Sequence, residues 1–233
     1  MLQKIAIKML GDFSVVADGR CVVDATAKLT KPWQLFCYLA LNREHVTPSS
    51  VLLQELWGGE ELADPANVLK NTVYALRREL AGPVKPAESP ILFRAGGYCL
   101  NGHIKWSVDT ERFEQLCEKA ERCTGGSEAK MAAWRKAEGA FRGELLPQLA
   151  GEVWVMRAAR GFTRRYLASA RALCACLAGE NDYGELLDVA SRASVTDPLD
   201  EDIALWTFRA LDADVFCIQE TKMQPGQAQF EAP

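Results

Sequence analysis

The sequence contains no apolar stretch long enough to cross a membrane. Its 233 residues are 48% hydrophobic, yet nothing approaches the about 18 consecutive apolar residues that a membrane helix needs. The first residues, Met-Leu-Gln-Lys-Ile, do not begin a signal-peptide apolar segment. Charged residues make up 25% of the chain, which is typical of an ordinary globular protein. We therefore expect a cytoplasmic protein that makes no contact with a membrane.

Histidine is scarce, and the cysteines lack the spacing of a metal site. The two histidines, His45 and His103, lie away from any cysteine cluster, and none of the eight cysteines forms a C-x-x-C pair. A zinc site is therefore not expected, and neither is another metal or a cofactor. No Ser/His/Asp or Cys/His arrangement suggests catalysis, so we predict that the protein is not an enzyme. Most cysteines lie in apolar stretches, as expected for reduced thiols that serve as small hydrophobic residues.

Excess positive charge is also absent, because the formal net charge is −4. The charge is uneven along the chain. Residues 1–104 carry 11 Lys and Arg against 10 Asp and Glu, a net charge of +1, and the remainder carries 16 against 21, a net charge of −5. Sequence-specific DNA binding depends on where cations lie rather than on their total, so the overall charge does not exclude it.

The chain has a clear helical pattern at residues 65–80. Asp64 is a candidate N-cap, Pro65 suits the first helical position, and Gly82-Pro83 is expected to end the helix. One face is apolar, with helical spacing, and consists of Leu69, Val73, Leu76 and Leu80. Another face has no acidic residue and consists of Asn67, Lys70, Asn71, Tyr74, Arg77 and Arg78. Such a face can donate hydrogen bonds to DNA phosphates and base edges, or it can simply be solvated.

The segments around this helix predict a winged helix. Strand patterns at residues 4–10, 13–17 and 21–23, with a hairpin signal at Asp18-Gly19, predict a small antiparallel sheet. The expected order then continues with a helix at 31–43 capped by Thr30, a helix at 48–57 capped by Thr47, a loop at 58–63, the helix at 65–80, and a hairpin with strands at 91–94 and 98–100. A polar-faced third helix followed by a glycine-tipped hairpin is typical of this helix-turn-helix variant.

Residues 105–211 have a different character, because strong helix formers dominate and strand signals are almost absent. Helices are predicted at residues 107–123, 127–141, 152–178, 183–194 and 199–211. Their alternation in pairs is similar to tetratricopeptide-type helical hairpins. The predicted fold class is therefore an α+β winged helix-turn-helix domain followed by an all-α, tetratricopeptide-like helical-repeat domain.

Residues 4–211 resemble SARP-type bacterial transcriptional regulators, which join an OmpR-type winged helix to a bacterial transcriptional activator domain. An ordered set of motifs carries the resemblance: IKMLGDF at 7–13, LLQELW at 52–57, NVLKNTVYALRR at 67–78, FRAGGY at 93–98 and VDTERFEQL at 108–116. The resemblance implies a winged-helix DNA-binding domain at 1–104, a truncated activator-type helical domain at 105–211, and a tail of foreign appearance at 212–233.

The resemblance also implies a function, which is sequence-specific binding to promoter direct repeats in double-stranded DNA and activation through RNA polymerase. The implied DNA-binding residues are Lys70, Asn71, Tyr74, Arg77 and Arg78 on the recognition helix and Arg94 on the wing. The loop at 58–63 would face the polymerase, and the helical domain would serve homodimerisation or reception of a signal. No phospho-receiver domain is present, so control by aspartyl phosphorylation is not expected. The alternative is a protein-interaction scaffold in which the helical domain makes the contacts.

Residues 212–233 do not continue the helical pattern. They resemble an early strand of exodeoxyribonuclease III-type nucleases, in which the glutamate of Gln-Glu-Thr-Lys binds magnesium, and Glu220 occupies that position. An active nuclease needs further acidic residues, an asparagine and a histidine from a large sheet sandwich, and that domain is missing. We interpret the segment as a fusion or truncation scar that can also cover the open end of the helical repeat.

Overall fold

The computed structural model describes residues 4–81 and 89–211. Within them the elements follow this order: β1 (Lys4–Lys8), β2 (Ser14–Ala17), β3 (Arg20–Val23), α1 (Lys31–Leu41), β4 (Thr47–Pro48), α2 (Ser49–Trp57), α3 (Pro65–Ala81), β5 (Ile91–Arg94), β6 (Gly97–Leu100), β7 (Lys105–Val108), α4 (Asp109–Glu121), α5 (Ser127–Glu138), a 3-10 turn (Pro147–Leu149), α6 (Val153–Gly179), α7 (Tyr183–Thr196) and α8 (Glu201–Leu211). This order confirms the predicted fold class. The expected end of α3 at Gly82-Pro83 and the interpretation of the tail lie outside the described residues.

The N-terminal sheet has four strands in the order β3-β2-β1-β7. The predicted hairpin joins β2 to β3, and its two turn residues, Asp18 and Gly19, have φ of 48° and 81°, as a two-residue turn between twisted strands requires. The fourth strand was not predicted. β7 pairs in parallel with β1, with Lys4 opposite Lys105 and Ile7 opposite Val108. The residues expected to start a helix at 107 therefore belong to a strand, and α4 begins at Asp109.

Helices α1, α2 and α3 pack on one another and form the helix-turn-helix. The predicted apolar face of α3 is buried, with exposures of 0–2% at Leu69, Val73, Leu76 and Leu80. Each such side chain contributes about 1.5–3 kcal/mol relative to leaving it in water. The predicted N-cap is confirmed, because the carboxylate of Asp64 accepts a hydrogen bond from the N–H of Asn67 at 3.0 Å. Burial of this face leaves the opposite face of α3 exposed.

The prediction that threonine side chains cap the first two helices is wrong, because neither threonine makes a capping hydrogen bond. Thr30 occupies the N-cap position of α1 but makes no side-chain cap hydrogen bond. Thr47 lies in β4, where it pairs with Tyr98 of β6, and the N-cap position of α2 is Pro48. The wing consequently has three strands in the order β4-β6-β5 rather than two. This arrangement ties the wing directly to the start of α2.

The second domain is an antiparallel stack in which α4, α5, α6, α7 and α8 each pack on the next helix along the chain. Small residues lie at the centre of the stack, and Ala137, Ala170, Ala190 and Ala193 are fully buried. Small side chains allow close approach of helix axes, as tetratricopeptide-like pairs need. None of the helices in residues 4–81 and 89–211 is long and apolar enough to span a membrane.

Hydrogen bonds that involve backbone groups join the two domains. The carboxylate of Asp109, at the start of α4, accepts hydrogen bonds from the N–H groups of Met9 at 2.8 and 2.9 Å and of Leu10 at 2.9 Å. Burial raises the pKa of Asp109, although these N–H groups act to lower it. Leu10 also forms an isolated antiparallel bridge with Leu145. The predicted boundary at residue 104 stays a prediction, and it separates β7 from the sheet to which β7 is hydrogen bonded.

Side chains reinforce the same junction. Arg43, in the turn after α1, binds Glu111 of α4 in a bidentate ion pair, with N–O distances of 2.6 and 2.7 Å. The rings of Tyr38 and Trp154 meet edge to face, with centroids 5.5 Å apart. Bidentate pairs and aromatic contacts restrict orientation as well as distance. The helical domain is therefore held at a defined angle to the winged helix.

Candidate nucleic-acid interface

The outer face of α3 carries exposed polar and cationic side chains. These are Asn67, Lys70, Asn71, Tyr74 and Arg78, and none of the five side chains bonds to another described residue. Lys70, Tyr74 and Arg78 are spaced by four residues, so they form one row about 12 Å long on the helix surface. Tyr74 is 67% exposed, which is unusual for a large aromatic side chain. The row has the reach and the hydrogen-bond donors that a DNA groove requires.

Arg77 differs from the other predicted DNA-binding residues, because the structure gives it an internal partner. Its Nη2 donates to the carbonyl of Ile91 at 2.7 Å, and its Nε donates to the same oxygen at 3.2 Å. Arg77 is only half-buried, so part of the guanidinium remains in contact with solvent. This contact joins α3 to strand β5 of the wing.

The wing presents Arg94 at its tip. Arg94 and Phe93 are exposed, and Phe93 contacts the ring of Tyr98 with centroids 5.1 Å apart. Ala95 and Gly96 form the two-residue turn, with φ of 47° and 76°, as the predicted hairpin requires. Arg94 makes no side-chain bond within the described residues, so its guanidinium is available to a phosphate.

The base of the wing is fixed to the start of α2. Ser49 donates to the carbonyl of Gly96 through its backbone N–H at 3.1 Å and through its hydroxyl at 2.9 Å. A Cβ at Gly97 would lie 2.2 Å from the carbonyl oxygen of Thr47, so only glycine allows this close approach. The wing and the helix-turn-helix therefore form one continuous surface.

The loop at 58–63 is anchored by Lys31, the first residue of α1. Lys31 pairs with Glu60 at 3.1 Å, donates to the carbonyl of Leu56, and lies 5.6 Å from the ring centroid of Trp57. The neighbouring carboxylate of Glu61 is exposed. The loop thus presents an acidic surface from a defined position beside α3.

Sequence reasoning located the exposed donors of this surface but missed the contacts that position them. The anchoring roles of Lys31, Ser49 and Arg77 depend on carbonyl groups that lie 14 to 47 residues away in sequence, so no local pattern indicates them. No group of three or more His, Cys, Asp or Glu residues that could hold a metal occurs in residues 4–81 and 89–211. The outer face of α3 and the wing tip present hydrogen-bond donors and positive charges.

Two family models match the chain in succession. Residues 25–100 match "Transcriptional regulatory protein, C terminal", and residues 108–214 match "Bacterial transcriptional activator domain". The first match covers the helix-turn-helix and the wing, and the second begins at the end of β7 and covers the helical stack. The two matches support the same two-part architecture as the structure.

Individual relatives agree with these matches. Regulatory protein DnrI of Streptomyces peucetius is 31% identical over 147 residues, which are 60% of this chain and 53% of that protein. The solved structure of Mycobacterium tuberculosis EmbR in complex with a low affinity phosphopeptide has a TM-score of 0.70 at 18% identity, over 88% of this chain and 54% of the EmbR chain. At that identity the likeness to EmbR shows the fold alone. The chain spans about half the length of each of these two proteins.

Proposed function

We propose, on the premise that this chain has the two-domain architecture of SARP-type transcriptional regulators, that it is a sequence-specific DNA-binding transcriptional activator that recruits RNA polymerase. Both matched families and the regulator from Streptomyces peucetius support this function. The proposal places the protein in the bacterial cytoplasm, with double-stranded DNA as its ligand and no enzymatic step of its own.

The observation that carries the proposal is the exposed, acid-free face of α3. A major groove about 12 Å wide admits an α-helix, and the apolar side of α3 is already occupied by the core. Only the outer face can enter the groove. The free side chains of Lys70, Asn71 and Arg78 then meet the duplex, since none of them is used within the described residues.

Each side chain suits a different part of the duplex. Asn71 can bind adenine through two hydrogen bonds, and Arg78 can bind guanine in the same way. Lys70 is a compact charge suited to a phosphate or to guanine. Tyr74 offers an aromatic face to a thymine methyl group and a hydroxyl to a phosphate. Arg94 at the wing tip reaches the phosphate backbone or the minor groove beside the recognition helix.

Arg77 has a more restricted role in this proposal. Its Nε and Nη2 donate to the carbonyl of Ile91, so only the remaining donors of the guanidinium are free for DNA. We assign to Arg77 mainly the positioning of the wing, with a phosphate contact as a secondary role. A guanidinium can serve both functions because it has five N–H donors.

The loop at 58–63 is the proposed contact with RNA polymerase. Glu60 and Glu61 present carboxylates beside α3, and the contacts of Lys31 with Glu60 and the carbonyl of Leu56 hold the loop in place. A preordered acidic loop favours association with a basic surface of a partner. We further propose that two copies bind direct repeats as a homodimer on DNA.

The test is binding to a duplex selected from a random-sequence library with the wild-type chain. We expect the variant with Lys70→Ala and Arg78→Ala to bind this duplex more weakly, because base contacts of this kind contribute about 1–3 kcal/mol each. The slope of log K against log salt concentration should become less steep by up to about 1, since a phosphate contact contributes about 0.9 and Lys70 is the one of the two residues assigned to a phosphate. Fluorescence anisotropy at several salt concentrations measures both quantities.

A matched control removes two other exposed cations. Lys8→Ala with Arg112→Ala eliminates the same charge from surfaces away from α3, so it separates local contacts from the effect of net charge. Equal losses of affinity in the two double variants would contradict the assigned interface. Failure of the selection to yield any preferred duplex would contradict sequence-specific binding and favour the scaffold function.

A further inference from the structure

Helix α6 contains five arginines, and they divide into two groups. Three of them form ion pairs with neighbouring elements: Arg157 with Glu55, Arg165 with Glu121, and Arg171 with Asp200 and Asp202. The other two, Arg160 and Arg164, are exposed and make no side-chain bond with any residue in 4–81 or 89–211. The unpaired arginines are four residues apart, so their side chains lie on the same face of the helix.

The two unpaired arginines border a groove of about 520 Å³ along α6. Its floor is apolar, because Leu145, Val155 and Leu167 line it and are 1–5% exposed. Met156 also lines the groove and is 42% exposed. Methionine is flexible and adapts to irregular apolar partners. The groove therefore combines an apolar surface with cationic side chains at its edge.

The charges around the groove are incompletely matched. Two carboxylates, Glu144 and Asp197, also line it, but neither forms an ion pair with Arg160 or Arg164 within the described residues. Asp197 instead accepts a hydrogen bond from the N–H of Leu199 at 3.0 Å. Like charges at i and i+4 destabilise a helix. An anionic ligand would remove this repulsion by pairing with both guanidinium groups.

We propose that this groove is a docking site for an acidic amphipathic helix of a partner protein. Apolar side chains of the helix contact Met156 over the floor of the groove, and its carboxylates pair with Arg160 and Arg164. The lining residues of α6 run from Val155 to Arg171, which is about 24 Å at 1.5 Å per residue and matches four to five turns of a bound helix. Helices commonly dock in this way, with their apolar face in a groove.

The apolar floor decides between a peptide and nucleic acid as the occupant. A DNA or RNA backbone pairs with arginines but has no apolar face to cover Met156, which is the exposed apolar side chain of the lining. An amphipathic peptide satisfies both features of the groove at once. Arginine also binds carboxylates through two parallel hydrogen bonds, so acidic side chains are suitable counterparts.

The test uses a synthetic amphipathic peptide of about 12–18 residues, or three to five helical turns, with leucines on one face and glutamates beside them. Binding of the labelled peptide to the full chain is followed by fluorescence anisotropy. We expect Arg160→Ala with Arg164→Ala to weaken binding at least tenfold, and Met156→Gln to weaken it about threefold, because each removes a direct contact. A peptide of the same composition with a scrambled order should bind at least tenfold more weakly.

The matched control is Arg112→Ala with Lys130→Ala, which removes two exposed cations of the same domain outside the groove. This control should change peptide affinity less than twofold. Equal effects of the two double variants, or equal binding of the scrambled peptide, overturn the proposal. A tenfold loss of duplex DNA binding by the groove variant, without peptide binding by the wild type, assigns the arginines to DNA instead. Peptide binding only by a chain ending at Leu211 assigns the groove to residues 212–233 and also overturns the proposal.

Discussion

Comparison of Arg77→Ala with Arg78→Ala separates the positioning of the wing from contact with DNA. In the structure, Arg77 of α3 holds the carbonyl of Ile91 through two N–H groups at 2.7 and 3.2 Å. Arg78, the next residue, is exposed and has no side-chain partner among the described residues. Arg77→Ala should therefore lower both stability and DNA affinity, whereas Arg78→Ala should lower DNA affinity alone.

The expected loss of stability follows from the partners of the Ile91 carbonyl. A hydrogen bond from a charged group contributes about 1.5–3 kcal/mol, and partial exposure of Arg77 reduces that value. The carbonyl keeps a second donor, because the hydroxyl of Ser89 bonds to it at 2.8 Å. We therefore expect Arg77→Ala to lower the free energy of unfolding by about 1 kcal/mol, which corresponds to roughly 2–4 °C in Tm for a chain of this size.

Urea unfolding measures stability, and anisotropy with a selected duplex measures affinity. Arg78→Ala serves as the matched control and should stay within about 0.5 kcal/mol of the wild type in stability. Arg77→Lys should recover part of the stability, since an ammonium group can donate one hydrogen bond to the same carbonyl. The positioning role is refuted if Arg77→Ala unfolds at the wild-type urea concentration, or if Arg78→Ala destabilises the protein equally.

Two further predictions concern stability. The hydrogen bond from Arg135 lowers the pKa of Glu185, so the stabilisation from this pair is present above the unfolded pKa of about 4.3 and is lost as pH falls through the lower folded pKa. Glu185→Gln should reduce the fall in unfolding free energy between about pH 5 and pH 3 by about 0.5–1 kcal/mol, and an unchanged pH profile would exclude the linkage. Gly97→Ala would place a Cβ 2.2 Å from the carbonyl oxygen of Thr47. This variant should lower the free energy of unfolding, measured by thermal unfolding, by about 2 kcal/mol or more. Gly102→Ala, where a Cβ meets nothing within 4 Å, is its control and should be nearly neutral.

Local patterns predicted the elements whose signals repeat within a few residues. The helical spacing of Leu69, Val73 and Leu76 identified the buried face of α3, and Asp18-Gly19 identified the first hairpin, because a two-residue turn requires positive φ. β7 was missed for the opposite reason. It has four residues and pairs with β1 from about 100 residues earlier in the chain, so neither its length nor its flanking residues indicated a strand.

Thr47 shows how tertiary structure overrides a reasonable local interpretation. A threonine before an apolar helical pattern is a good candidate N-cap, yet Thr47 pairs with Tyr98 in the wing sheet. The backbone of residue 47 is satisfied by that strand. Arg77 is a similar case, because its position on α3 suggested exposure, whereas the docking of β5 beside the helix gave it a partner. The six predicted DNA-binding residues stay a prediction that the binding experiments test.

By itself the sequence determined which side of α3 faces the core and which of its residues remain polar, because side-chain period depends only on local backbone geometry. It also determined the order of the two domains through a succession of motifs. Only the tertiary structure decided that Arg77 contacts the wing, that β7 completes the N-terminal sheet, and that two arginines of α6 border a groove without an ion-pair partner in the described part of the chain. These features depend on contacts between distant segments, and such contacts form only when the whole chain is packed.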